Sequence, residues 1–110
     1  MSNTAAGKNV LSMLGLAKKA GKAVSGESKT EAAVKGGTAC LVIVATDASD
    51  NTKKLFKDKA TYRSIPIYLF GTKEELGHAL GQEFRSSVAI IDRGFAEAIQ
   101  KKIEEAGSQA

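Results

Sequence analysis

The 110-residue sequence holds one cysteine, one proline and one histidine, and no long apolar run. A single cysteine, Cys40, excludes an internal disulfide framework and suits a reducing compartment. One histidine beside one cysteine cannot supply a zinc quartet or a His–Cys site. No apolar run approaches the roughly 18–20 residues of a membrane span. Met1 to Asn9 lack the apolar region of a signal peptide. The sole proline, Pro66, falls in the apolar stretch Ile65 to Phe70, where it suits the first residues of a strand or an edge. Repeats and low-complexity segments are absent. A cytoplasmic protein with no cofactor or metal is expected, and a monomer is the default for this size.

Enzymatic motifs are equally scarce. Gly21 to Ser28 has the glycine spacing of a phosphate-binding P-loop, but Glu27 stands where that loop needs a lysine. Gly21 also looks like a helix stop rather than the end of a buried strand. The segment reads as a plain loop. No G-x-G-x-x-G follows a strand. His78, in Gly77-His78-Ala79, reads as a surface or packing residue, and Cys40 as a small core hydrophobe at a strand start. Asp47 and Asp50 flank a strand end and suit capping or turns better than catalysis, because no nucleophile or base lies near them.

What is present is an alternation of helix and strand. Val10, Leu11, Met13, Leu14 and Ala17 form one helical stripe, closed by Lys18, Lys19 and Gly21. A very short strand around Val24 follows. Ser25 to Lys29 reads as a second helix start with an acid in its first turn, and Gly36-Gly37 ends that helix. Cys40 to Ala45 is a buried strand. Asn51 to Tyr62 is a third helix, with Leu55, Phe56 and Ala60 inward and Lys53, Lys54, Lys57 and Lys59 solvated. The Ile65 to Phe70 strand comes next. Thr72 is the expected N-cap of a helix over 73–80, and Gly81 to Ser87 is a loop. Val88 to Ile91 is the last strand, and a helix over 92–106 carries Phe95, Ala96, Ile99 and Ile103 on its core face. This order predicts one domain over 1–110, a three-layer α/β/α sandwich with a small mixed four-stranded sheet, and free ends at 1–8 and 107–110. The net charge of +4 is uneven: residues 1–63 hold 11 Lys/Arg against 5 Asp/Glu, and residues 64–110 hold 5 against 7. The basic excess in the first part permits nucleic-acid binding.

Four segments occur in one order: Ser25 to Lys29, Leu41 to Ser49, Tyr68-Leu69-Phe70, and Leu76-Gly77-x-Ala79-x-Gly81. In that order and spacing the chain resembles the kink-turn RNA-binding ribosomal protein family of the L7Ae and L30e type, over roughly Val10 to Ile103. Ser25-Gly26-Glu27 and Asp92-x-Gly94-Phe95 point more narrowly to its bacterial YlxQ-like branch. The family's sandwich agrees with the pattern above.

The resemblance implies a non-catalytic RNA-binding protein, ribosomal or ribosome-associated, whose partner is rRNA or another structured RNA. In the family the second helix starts G-x-N-E-x-x-K and reads sheared G·A pairs. Here Gly26 matches, Ser28 stands for the Asn, Lys29 for the Glu and Ala32 for the Lys. The change at Lys29 reverses a charge, and Ala32 makes no polar contact. A second family contact, a loop that packs on unstacked bases, falls on Gln82, Glu83, Phe84 and Arg85. Phe84 can stack on a base and Arg85 can reach a phosphate. Lys22, Lys29 and Lys35 would supply general attraction to phosphate, and Glu27 lies within the same helix start. A solvated lysine face, Ser25 or Ser28 as plain N-caps, and Phe84 packed on the core remain the competing readings of these residues. The competing function is a protein-interaction module, or an accessory subunit of an RNA-modifying or processing complex, using Phe84 without the basic face.

Overall fold

The computed structural model describes residues 5–106. Residues 1–4 and 107–110, which include most of the expected free ends, lie outside the described residues. Residues 5–8, grouped with the N-terminal end by the sequence pattern, form the first turns of a helix, and Gly7 is buried. The elements run α1 (Ala5–Lys19), β1 (Ala23–Ser25), α2 (Glu27–Lys35), β2 (Leu41–Val44), α3 (Asp50–Tyr62), β3 (Ile67–Leu69), α4 (Lys73–Ala79), β4 (Ser87–Ile90) and α5 (Arg93–Glu105).

Local signals explain most of the boundaries. The α1 stripe buries Val10, Leu14 and Ala17. It stops at Gly21, whose φ of 74° a glycine adopts without strain. The Gly21 amide bonds the Lys18 carbonyl at 3.0 Å and the Lys22 amide bonds the Ala17 carbonyl at 2.8 Å, closing the helix end in a Schellman pattern. Thr72 caps α4 in a full capping box with Glu75. Asp92 caps α5 by accepting the Phe95 amide at 2.9 Å. Asp92→Ala removes that acceptor and should cost about 1 kcal/mol of stability, read as a lower urea midpoint with unchanged slope. The α3 cap is Ser49, which accepts the Thr52 amide at 3.1 Å. Asp50 is therefore the first helical residue, and Asp47 is engaged elsewhere.

The four strands form one mixed sheet in the order β1-β4-β2-β3. β4 pairs antiparallel with β1 and β2, and β2 pairs parallel with β3. The two central strands, β2 and β4, are buried along their whole length. Pro66 immediately precedes β3, an edge strand, so its missing N–H costs no ladder bond. Helices α2 and α3 pack together against the sheet, and α1 packs with α5 and α4 on the other side. The result is the expected three-layer α/β/α sandwich. Phe56, Leu14, Leu41, Ile43, Leu76, Ile90, Ile99 and Ile103 fill the core. Tyr68 ties the β3 edge to α5, donating to Glu104 at 2.7 Å and accepting from Gln100 at 2.9 Å. Burial, then the Glu104 carboxylate, raise the phenol's pKa, so it stays a donor at neutral pH. Cys40 is half-buried rather than fully in the core, packed against its margin just before β2.

Candidate nucleic-acid interface

The C-terminal ends of β1 and β2 and the start of β4 meet at one end of the sheet, because β4 runs antiparallel between them. Three chain segments converge there. The Gly26 amide bonds the Ser87 carbonyl at 3.1 Å, and the Ala45 amide bonds the Ser86 carbonyl at 2.8 Å. The Arg85 amide bonds the Lys73 carbonyl at 3.0 Å, and the Lys73 amide bonds the Asp47 carboxylate at 2.8 Å. Thr46 anchors the next segment through two bonds to the Gly71 carbonyl, at 2.7 Å from its amide and 2.9 Å from its hydroxyl.

Gly26 is the N-cap of α2, with φ 94° and ψ 153°, a conformation that side chains rarely adopt. No side chain caps this helix. The competing reading of Ser25 or Ser28 as a plain N-cap fails: Ser25 is the last residue of β1, and Ser28 is exposed in the first helical turn. The first intrahelical bond runs from the Thr30 amide to the Gly26 carbonyl at 2.9 Å. The preceding amides, at Glu27, Ser28 and Lys29, thus lie in the uncapped first turn, which attracts anions. Glu27, Ser28, Lys29 and Ala32 are all exposed. Beneath them Thr30 and Ser87 are fully buried, and neither hydroxyl has a partner among the described residues. Such groups typically cost about 1–3 kcal/mol each.

The loop from Gly81 to Ser86 lies against α4. The Gln82 amide bonds the Gly77 carbonyl at 2.7 Å. A Cβ on Gly77 would sit 2.5 Å from the Glu83 carbonyl oxygen and 2.8 Å from the Phe84 Cα, so the loop rests directly on a bare helix backbone. Gln82, Glu83 and Phe84 are exposed, and Phe84 has 58% of its surface open to solvent. Phe84 therefore does not pack back on the core. Arg85 is half-buried, and its Nε donates to the Ser25 hydroxyl at 2.9 Å. Its guanidinium also bonds the Phe84 carbonyl at 3.0 Å. The residue expected to reach a phosphate is first a strut, joining the loop to the strand that leads into α2.

The structure thus brings Gly26, Glu27, Ser28 and Lys29 to the same end as Gln82, Glu83, Phe84 and Arg85. It does not bring Lys22 or Lys35 there. The Lys22 carbonyl accepts the Ile91 amide at the opposite end of β4, four residues and about 13 Å of strand from Gly26. Lys35 closes the far end of α2 and pairs with Glu31 at 3.3 Å, while Lys59 of α3 meets the same carboxylate at 3.4 Å. The Lys35 hydrogen bond, with help from Lys59, lowers the Glu31 pKa. Its folded pKa lies below the unfolded one, so this contribution is present at neutral pH and lost as pH falls through the carboxylate range.

Sequence reasoning left Asp47, Lys73 and Gly77 out of the site. Asp47 and Lys73 are joined across 26 positions, which no local signal marks. The Leu76-Gly77 motif was visible, but its reason, contact between backbones, is a tertiary fact. Among the described residues no group of His, Cys, Asp or Glu is placed to hold a metal ion. No helix of the described residues is long and apolar enough to cross a membrane.

Comparison with known proteins places this geometry in a family. The chain is 37% identical over 97 residues to the RNA-binding protein YlxQ of Enterococcus faecium, covering 88% of this chain and 93% of that one. It is 39% identical over 87 residues to the RNA-binding protein YlxQ of Bacillus subtilis (strain 168), covering 79% and 87%. A solved structure of a protein of unknown function from Bacillus halodurans superposes with a TM-score of 0.84 at 36% identity, covering 86% of this chain and 96% of that chain. The model of the ribosomal protein L7Ae/L30e/S12e/Gadd45 family matches residues 8–100. The chain belongs to that family, on its bacterial YlxQ-like branch.

Proposed function

We propose that this protein binds structured RNA, without catalysis, as a ribosomal or ribosome-associated protein. The interface is the uncapped start of α2, Gly26 to Lys29, together with the Gln82 to Arg85 loop. One observation carries this reading: Phe84 is exposed on a loop that Arg85 fastens to the strand entering α2. An aromatic ring held in the open beside free helix amides offers stacking and phosphate contact at one place. Two relatives, both RNA-binding proteins, support it.

The RNA is kink-turn-like, with contacts weighted toward backbone and stacking. Ser28, Lys29 and Ala32 are all exposed at the reading surface. They replace the amide, carboxylate and ammonium that read G·A pairs in the family, and each lost base contact costs about 1–3 kcal/mol of discrimination. The test is competition between a kink-turn hairpin and the same hairpin with its G·A pairs changed to Watson–Crick pairs. Tighter binding to the kink-turn, falling steeply with salt, is expected. Equal affinities would remove the kink-turn. No binding to a panel of structured RNAs at about 50 mM salt would remove RNA altogether.

A further inference from the structure

The most exposed large apolar side chain among the described residues is Tyr62, with 83% of its surface open, and nothing in the proposed function uses it. It is the last residue of α3, and the Arg63 guanidinium carbon sits over its ring, 5.3 Å from the centre. That lies within the roughly 6 Å reach of a cation–π contact. The backbone beneath the pair is fixed. The Ile65 amide bonds the Ala60 carbonyl at 2.9 Å and the Ser64 amide bonds the Thr61 carbonyl at 3.1 Å, the two bonds of a Schellman turn. Its left-handed position, usually glycine, is Ser64 at φ 58°, the only non-glycine residue with positive φ among the described residues. A serine stays in that conformation because its surroundings hold it there. Ile65 packs against the core, while Tyr62, Arg63 and Ser64 are left outside. The Val42 amide bonds the Pro66 carbonyl at 3.0 Å, which sets this turn at the start of β2 and β3, the end of the sheet opposite Gly26 and Phe84.

We propose that Tyr62 and Arg63 form a site for one unpaired RNA nucleotide, with its base stacked on the open face of Tyr62 and its phosphate at Arg63. The proposal rests on the RNA-binding reading above for the class of ligand. The pair itself selects an unpaired nucleotide. The ring has one face under the guanidinium and is otherwise open, and an aromatic face accepts any base that is not already stacked in a duplex. The Arg63 side chain makes no hydrogen bond or ion pair among the described residues, so its N–H donors are free for a phosphate. Nearby carboxylates do not oppose this. Asp58 is paired with Lys54 at 2.9 Å, and Glu31 is shared between Lys35 and Lys59. Lys53 and Lys57, in no ion pair among the described residues, follow α3 back toward the Phe84 end and suit a phosphodiester chain. A protein partner would need apolar surface around the ring. Its exposed neighbours in the turn are Thr61, Arg63, Ser64 and Pro66, of which only Pro66 is apolar. Leu16 is on α1, Leu69 at the C-terminal end of β3 and Phe84 in the loop after α4.

The chain supplies its own probe, since it has no tryptophan and two tyrosines. Tyr68 is held between Glu104 and Gln100, so Tyr62 is the emitter that a base can reach. The test titrates the full chain with an adenine single strand of about ten nucleotides at about 50 mM salt, with tyrosine emission corrected for absorbance. Binding should quench the emission, in the wild type and equally in Phe84→Ala. Tyr62→Phe should bind a labelled strand within about twofold of the wild type but lose the quenching, because stacking survives and the emitter does not. Tyr62→Ala should weaken that strand at least about fivefold. Arg63→Gln should weaken it too and flatten the log–log salt slope by about 0.7, as expected for one phosphate contact on a single strand. Absent binding, binding without quenching, or equal affinities for the wild type and Tyr62→Ala would overturn this site and leave the Phe84 end standing. So would equal losses in Tyr62→Ala and Tyr62→Phe. Quenching by the single strand with no binding of a kink-turn hairpin would overturn the Phe84-end reading and keep this site.

Discussion

Gly77→Ala should cut RNA affinity at least tenfold in a chain that still folds. A methyl group at this position meets the Glu83 carbonyl oxygen at 2.5 Å, the Glu83 carbonyl carbon at 2.7 Å and the Phe84 Cα at 2.8 Å. All three are backbone atoms, so no side chain can swing aside. Either α4 or the loop must move. α4 is held by its capping box and by buried Leu76, whereas residues 82–84 are exposed. The loop moves. Overpacking of this kind costs about 1–3 kcal/mol, and replacing a helical glycine by alanine returns roughly 1 kcal/mol. The net loss of stability is therefore at most about 2 kcal/mol, measured by urea unfolding. Binding loses at least what Phe84 supplies, because the ring leaves its place beside α2. Affinity for a kink-turn hairpin should fall tenfold or more, measured by titration at fixed salt. Unchanged affinity in a chain of lowered stability would show that the loop takes no part in recognition.

Phe84→Ala separates the ring from the loop that carries it. Phe84 is largely exposed, so its removal should leave stability within about 0.5 kcal/mol. Stacking on a base is worth about 1–3 kcal/mol, which predicts a loss of roughly 5- to 150-fold in hairpin affinity. The salt slope should not change, since a neutral ring displaces no counterions. Lys29→Glu should do the reverse, lowering affinity for every RNA and flattening the slope by about 1. A Phe84→Ala chain that binds as tightly as the wild type would identify the ring as surface rather than contact.

Features set by neighbouring residues could be read from the sequence. Gly21 and Thr72 each act on amides or carbonyls within five positions, and their roles as stop and cap follow from residue type, whereas Asp92, read as the first residue of the last helix, proves to be its cap. The helix stripes and apolar strands gave the layers, because burial follows period. What could not be read was set across the chain. Ser25 looks like a cap by composition, but the Arg85 guanidinium reaches it from 60 positions away. Lys22 and Lys35 lie close to Gly26 and Lys29 in sequence. Strand direction carries Lys22 to one end of the sheet while Gly26 stands at the other, and the length of α2 does the same for Lys35. Glycines likewise show where freedom exists but not what approaches. Gly77 marks a motif, and only packing shows that a loop backbone lies on it.

The strut between Arg85 and Ser25 has a thermodynamic consequence. It joins residues that become neighbours only once β1 and β4 have paired. The proposed binding surface therefore has no counterpart in the unfolded chain, and RNA bound there would be a ligand of the native state alone. By mass action, RNA at 100 times its dissociation constant adds about 2.7 kcal/mol to folding. The midpoint of thermal unfolding becomes a reporter of occupancy, rising with RNA concentration for each RNA the protein accepts. In a cell, the fraction of chains open to proteolysis then depends on how much of that RNA is free.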